Sequence, residues 1–242
     1  MNYAIILAGG KGVRFQDNIP KQFVHMAGHP MLMYSLKTAQ ENKNVDVICV
    51  AAPVKYHEEI RRWGEENGIT KLKILAESGK ERYETVYKGL KALPAEPRDT
   101  VIIMTAVCPF VSQRTMNKLY EQIKIYDASI TVIKATDAIT FSNDGKLVNR
   151  TLQKKKMFVQ QGPQIYRYGI LLQAHQAYLQ DEQRIEVNED SELVLNLGVE
   201  CSMVMGDRFC IKVTYPEDLT IAEALYPLFI RQENAYEEEK DD

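Results

Sequence analysis

A short apolar run, Tyr3-Ala4-Ile5-Ile6-Leu7, ends in Ala8-Gly9-Gly10-Lys11-Gly12-Val13-Arg14, and Pro20-Lys21-Gln22-Phe23 follows shortly after. This pattern predicts a strand that stops in a turn nearly bare of side chains. Backbone N–H groups in such a turn approach a phosphate without obstruction by Cβ atoms. Arg14 and Lys21 bring two cations to the same neighbourhood. The chemistry that these residue types serve is the holding of a polyphosphate, as in a nucleoside triphosphate site.

Two other glycine signatures do not fit. The dinucleotide fingerprint Gly-x-Gly-x-x-Gly fails because, counting from Gly10 and Gly12, its third position is Phe15. An oxidoreductase of the doubly wound type is disfavoured on that ground. The ATPase phosphate loop requires Gly-Lys-Ser/Thr, whereas Gly10-Lys11 is followed by Gly12. Glycines alone also fit a plain strand-to-helix turn; the arginine and the Pro-Lys-Gln-Phe segment tilt the reading to phosphate.

Leu7-Ala8-Gly9-Gly10-Lys11-Gly12-Val13-Arg14 with Pro20-Lys21-Gln22-Phe23 resembles the opening of the sugar and polyol phosphate cytidylyltransferases, which include the methylerythritol 4-phosphate and ribitol 5-phosphate enzymes. The resemblance runs from residue 2 to about residue 226. It implies transfer of CMP from CTP to a phosphorylated polyol with release of pyrophosphate, and a requirement for Mg²⁺ or another divalent cation. It implies that Arg14, Lys21 and Lys212 are catalytic cations, and that Leu7, Ala8, Gly9, Gly10, Gly12, Gly79, Arg82 and Thr85 bind the nucleotide. Lys154, Asn188, Glu189 and Thr214 fall in the acceptor region, and Thr105 and Asp137 are the candidate metal positions.

Glu84-Thr85 and Phe209-Cys210-Ile211-Lys212 resemble the ribitol phosphate branch more than the methylerythritol branch. The expected acceptor is therefore a ribitol-type phosphate, with methylerythritol 4-phosphate, the isoprenoid precursor, as the alternative. The chain departs from its family at the signature His-Asp-Ala-x-Arg-Pro, where it has Met104-Thr105-Ala106-Val107-Cys108-Pro109. A neutral hydroxyl replaces the metal carboxylate, and a hydroxyl holds a hard cation more weakly. Lys154 stands where the family has an arginine, Gly162 where it has a threonine, and Asn188-Glu189 where it has a threonine-aspartate pair. A nucleotide-binding protein that has lost catalysis is thus a competing reading.

The elements expected to position these residues are strands near 3–7, 46–52, 71–76 and 100–105, alternating with helices near 30–42, 56–67, 82–92 and 112–126. This is the pattern of an α/β, doubly wound, mostly parallel sheet, with ligands at the carboxyl ends of the strands. The family resemblance implies the same Rossmann-like, nucleotide-diphospho-sugar transferase fold. After a strand at 129–135, Asp137–Ser142 and Lys146–Val148 flank the turn signal Asn143-Asp144-Gly145, which predicts a protruding β-arm over about 137–163. The resemblance implies that this arm embraces a second subunit in a homodimer. Helices at 168–180 and 189–197, strands at 201–205 and 210–214, and a helix from Pro216 complete the expected single domain of residues 1–242. The acidic tail Glu237–Asp242 is read as a solvated end.

Composition bounds the rest. The 242 residues are 45% hydrophobic with a net charge of −3, enough for a sizeable core and without a general pull towards nucleic acid or an anionic membrane. Cys49, Cys108, Cys201 and Cys210 form no Cys-x-x-Cys pair, and no apolar stretch or leader pattern stands out, so a reducing cytoplasm is expected. His25, His29, His57 and His175 lack metal-ligand spacing and are read as solvated or capping.

Overall fold

The computed structural model describes residues 1–10 and 19–241. Its centre is a seven-stranded sheet, built from β1 (Asn2–Leu7), β4 (Val47–Ala52), β5 (Leu72–Glu77), β6 (Thr100–Thr105), β7 (Ala128–Lys134), β10 (Phe158–Arg167) and β11 (Ser202–Met205). Two residue pairs, β2 (His25–Met26) with β3 (His29–Pro30) and β8 (Thr140–Phe141) with β9 (Arg150–Thr151), form small separate hairpins. The strand order is β11-β7-β10-β6-β1-β4-β5. Strand β1 lies parallel to β4 and β6, β4 to β5 and β7 to β11, while β10 runs antiparallel to both its neighbours. The doubly wound α/β expectation holds, with one reversed strand inserted.

Both faces of β1 are apolar, as a sheet covered on two sides requires. Ala4, Ile6 and Ala8 face one layer, which holds side chains of α1 (Met31–Glu41), α2 (His57–Glu66) and α4 (Gln113–Gln122). Tyr3, Ile5 and Leu7 face the other, with α3 (Arg82–Ala92), α5 (Tyr168–Gln180) and α6 (Asp190–Asn196). Each fully buried isoleucine in such layers contributes about 1.5–3 kcal/mol. The seam between β1 and α3 is close: a Cβ on Gly89 would lie 3.1 Å from the Ile5 side chain. The last helix, α7 (Pro216–Asp241), closes a third apolar cluster in which Phe229 packs beside Phe110 and Val213.

Three expectations require correction. Residues 210–214 are not a strand: Val213 N–H donates to Val107 O at 2.9 Å, but no ladder follows, and Asp207 Oδ1 draws the Phe209 and Cys210 N–H groups into a local turn. The arm's second leg is Arg150–Thr151 rather than Lys146–Val148, because Asp144 Oδ1 accepts the Lys146 and Leu147 N–H groups and removes them from pairing. Glu237, Glu238 and Glu239 are exposed, as expected, yet α7 runs on past them to Asp241.

Candidate active site

The carboxyl ends of β1 and β6 meet the loop after β5 around a cavity of about 340 Å³. Leu7, Ala8, Gly9 and Gly10 form one wall, and Gly79, Arg82 and Thr85 form the facing one. Lys21, Thr105, Glu189 and Lys212 complete it. Gly12 and Arg14 lie outside the described residues.

The glycine turn is shaped by close approach. A Cβ on Gly9 would lie 2.5 Å from Ser78 Cβ and 3.2 Å from Thr85 Oγ1, so only glycine lets the two walls come this near. Gln22, buried beneath the turn, fixes its carbonyls: Nε2 donates to Ala8 O at 2.7 Å and to Gly10 O at 3.1 Å. One carboxamide thus ties together the two ends of the described part of the turn. On the facing wall, Thr85 Oγ1 donates to Glu81 O and accepts the Gly79 N–H, both at 3.0 Å.

The two lysines expected to be catalytic are brought together from distant parts of the chain. Lys21 Nζ donates to Val213 O at 3.1 Å, which seats it beside Lys212. Thr214 does not line the cavity; its hydroxyl donates to Lys212 O at 3.1 Å, and its N–H is taken by Asp218 at 2.7 Å at the start of α7. Thr214 therefore supports the lysine segment.

Arg82 is held by two carboxylates. Its Nη2 lies 3.0 Å from Glu189 Oε2 and 2.7 Å from Asp190 Oδ2. Burial opposes the guanidinium charge, but Asp190 and Glu189 outweigh it and hold the pKa above its ordinary value. Burial would likewise raise the Asp190 pKa; Arg82 and His175 more than offset it and hold it at about 2. Gln164 Nε2 donates to Glu189 at 2.5 Å, and the buried Tyr166 hydroxyl donates to Gln164 Oε1. His175 is neither solvated nor capping: it is fully buried, with Nε2 on Asp190 Oδ1 at 3.0 Å. Its place on an ordinary amphipathic helix gave no signal of that partner, whereas Gln22 stood in the quoted motif without an assigned role.

A second cavity of about 330 Å³ adjoins the first, sharing Arg82, Thr105, Glu189 and Lys212 and adding Gly162, Arg208 and two cysteines, Cys108 and Cys210. A larger groove of about 460 Å³, between α4 and β11, contains none of the glycine-turn residues. Besides Thr214, three expected site residues stand apart from both of these cavities. Lys154 is exposed on the arm with Nζ donating to Thr136 O at 3.1 Å, Asp137 is exposed beside the Thr136 hydroxyl, and Asn188 is exposed before α6 with its N–H on Glu192.

The donors do not fit a divalent cation held by the protein alone. Among the described residues, no three His, Cys, Asp or Glu side chains converge as a metal site. Thr105 offers a neutral oxygen, Glu189 is already paired with Arg82, and Asp137 lies outside the cavity.

The sequence from residue 2 to 227 matches the protein family described as IspD: 2-C-methyl-D-erythritol 4-phosphate cytidylyltransferase. The chain belongs to this family. Relatives of that description include one from Clostridioides difficile, 34% identical over 96% of this chain and 97% of its own length. Another, from Clostridium novyi, is 31% identical over 93% and 96%. In three dimensions the fold superposes on 4-diphosphocytidyl-2C-methyl-D-erythritol synthase of Anaerococcus prevotii with a TM-score of 0.80 and 25% identity, covering 93% of this chain and 98% of that one. As a family member the chain is a nucleotidyltransferase, a cytidylyltransferase. The ribitol preference finds no support in these relatives, and the two residues that motivated it have local roles. Thr85 binds the loop backbone, and Phe209 packs on Phe229 with ring centroids 6.3 Å apart.

Proposed function

We propose that this protein transfers CMP from CTP to 2-C-methyl-D-erythritol 4-phosphate, the reading held above as the alternative to ribitol phosphate. The observation that carries the transferase chemistry is the junction of Lys21 with the Lys212 segment at the mouth of the glycine turn. In this reading the acceptor's phosphate oxygen attacks the α-phosphorus and pyrophosphate leaves, while the two ammonium groups stabilise charge that grows on the phosphoryl oxygens. Preorganised cations of this kind contribute roughly 3 kcal/mol each. Support for the methylerythritol acceptor comes from the relatives' descriptions and from near full-length coverage on both sides.

Base selection follows from one hydroxyl. Thr85 Oγ1 has its proton engaged by Glu81 O, so towards the cavity it only accepts. That suits the 4-amino group of cytosine and disfavours the carbonyl of uracil. Arg14 and Gly12 keep their expected roles at the triphosphate, and Lys154, Asn188 and Thr214 are read as acceptor-side residues only through the arm and loops around the cavity. Magnesium, in this reading, arrives on the triphosphate rather than in a protein cage. One domain, paired into a homodimer through the arm, belongs to the same proposal, as does a cytoplasmic setting; no described helix is long and apolar enough to cross a membrane.

The test is pyrophosphate release from CTP over methylerythritol 4-phosphate and the ribitol, arabinitol, mannitol and glycerol phosphates. Turnover highest with methylerythritol phosphate is expected. A ribitol preference would overturn the acceptor assignment, and CTP binding without turnover on any acceptor would overturn the transferase reading.

A further inference from the structure

Cys108 and Cys210 are the only two of the four cysteines that line the second cavity, and both are buried, at 5% and 8% exposure. The two thiols face the same cavity and are near enough to act on one another's ionisation. Cys210 Sγ also lies 3.1 Å from Gly162 O. The segments that carry them are already joined, since Val213 N–H donates to Val107 O at 2.9 Å, one residue before Cys108 and three after Cys210. Cys108 N–H in turn donates to Thr105 O at 3.0 Å, so the first sulfur sits on the turn that follows β6 and the second sits two residues before Lys212. Cys49 lies on β4 and Cys201 just before β11, and neither lines this cavity.

We propose that Cys108 and Cys210 form a reversible disulfide, closed by a peroxide, that locks the Lys212 segment to the end of β6 and switches the enzyme off. With hydrogen peroxide as oxidant, one thiolate sulfur attacks a peroxide oxygen. The O–O bond breaks, hydroxide leaves and takes up the released proton as water, and a sulfenic acid remains. The second sulfur then attacks the first, the S–S bond forms, and the S–O bond breaks; a second water carries away the second thiol's proton. Two electrons pass from the two thiols to the peroxide, and a dithiol reductant reverses the bond by exchange. Pairs of this kind in a reducing compartment are characteristically transient and sensing.

Closure changes geometry where it matters. Two free thiols stand well beyond the roughly 2.05 Å of a disulfide, so the bond draws the two segments together. A displacement of about 1 Å at reacting groups costs on the order of a hundredfold in rate. The bond itself stands independently of the function proposed above; its effect on turnover rests on that reading.

The experiment treats the full-length protein with hydrogen peroxide, blocks remaining thiols with iodoacetamide and maps peptides without reduction. The expected result is a peptide linking Cys108 to Cys210, a fall in turnover of about a hundredfold, and recovery with dithiothreitol. Limited trypsin digestion is a readout that does not need activity: cleavage after Arg208 and Lys212, both exposed, should slow on oxidation and recover on reduction. In Cys210→Ser no linked peptide forms, and peroxide leaves the variant at its own untreated rate. If that variant does not fold, the wild-type peptide map and digestion decide alone. No Cys108–Cys210 peptide from folded protein, or a linked peptide with unchanged digestion, overturns the proposal. Linkage with slowed digestion in a protein that turns over no acceptor supports the lock and rejects only the transferase reading.

Discussion

The guanidinium of Arg82 and the carboxylate of Asp190 lie 2.7 Å apart, with Asp190 only 1% exposed. Because the carboxylate also accepts His175 Nε2–H, a cation at the cavity wall is anchored to a charge buried under α5 and α6. An arginine so held presents the same face to every incoming ligand, which costs no ordering at the moment of binding. His175 Nδ1 has no hydrogen-bond partner among the described residues, so the ring is fixed by Asp190 and by stacking on Tyr87 at 6.4 Å.

Asp190→Asn is therefore expected to destabilise the fold, and in a pH-dependent way. The folded carboxylate titrates at about 2 against an ordinary 3.8, so ionised Asp190 stabilises the native state fully above pH 5, and this contribution fades as pH falls through 2. Its size is on the order of 2 kcal/mol. Urea unfolding should show wild type and variant separated at pH 7 and converging towards pH 2; a constant gap would contradict the linkage.

Lys21→Ala and Lys212→Ala should each lower turnover by more than about tenfold. Lys21 also holds Val213 O, so its loss should loosen the other lysine's segment and make the double variant less than additive. Steady-state kinetics of the four proteins measures this, and multiplicative effects would show that the lysines act independently.

Gly9→Ala places a methyl group 2.5 Å from Ser78 Cβ. The walls must part, and CTP affinity should fall by roughly tenfold, equivalent to about 1.4 kcal/mol. Combining it with Ser78→Gly removes the clashing atom and should restore much of the loss. Calorimetric titration of CTP decides it, and a failed rescue would place the damage elsewhere.

Thr105→Asp adds a charged hard-oxygen ligand at the mouth of β6, where the family signature carries one. CTP binding in Mg²⁺ should tighten while binding in EDTA should not. Titrations with and without the ion separate these outcomes, and equal affinities would mean that no cation is held at that position.

Much of this was legible in the chain, and the parts that were not share a cause. The alternation of Tyr3 to Leu7 and the glycines behind them announced both the strand and its turn, because strand and turn are specified by neighbouring residues. Strand β10 was not foreseen: its run contains Gly162-Pro163 and three glutamines, which read as part of the arm. The proline lacks an N–H, and the register shift between Gln161 and Gln164 accommodates it. Cys210 to Thr214 alternates like a strand, yet a strand needs a partner ladder, and among the described residues Val213 N–H finds Val107 O with no ladder beyond it. The burial of His175 depends on a carboxylate fifteen residues further on, a relation that only the packing of α5 on α6 creates.

The hydrogen bond from Lys21 to Val213 closes a loop of 192 residues with a single ammonium group. For a chain emerging from a ribosome, the glycine turn and six of the seven strands, through Arg167 of β10, are made before Lys212 exists. In nascent molecules of this protein the junction of Lys21 with the segment before α7 is thus among the last contacts that the chain is able to make.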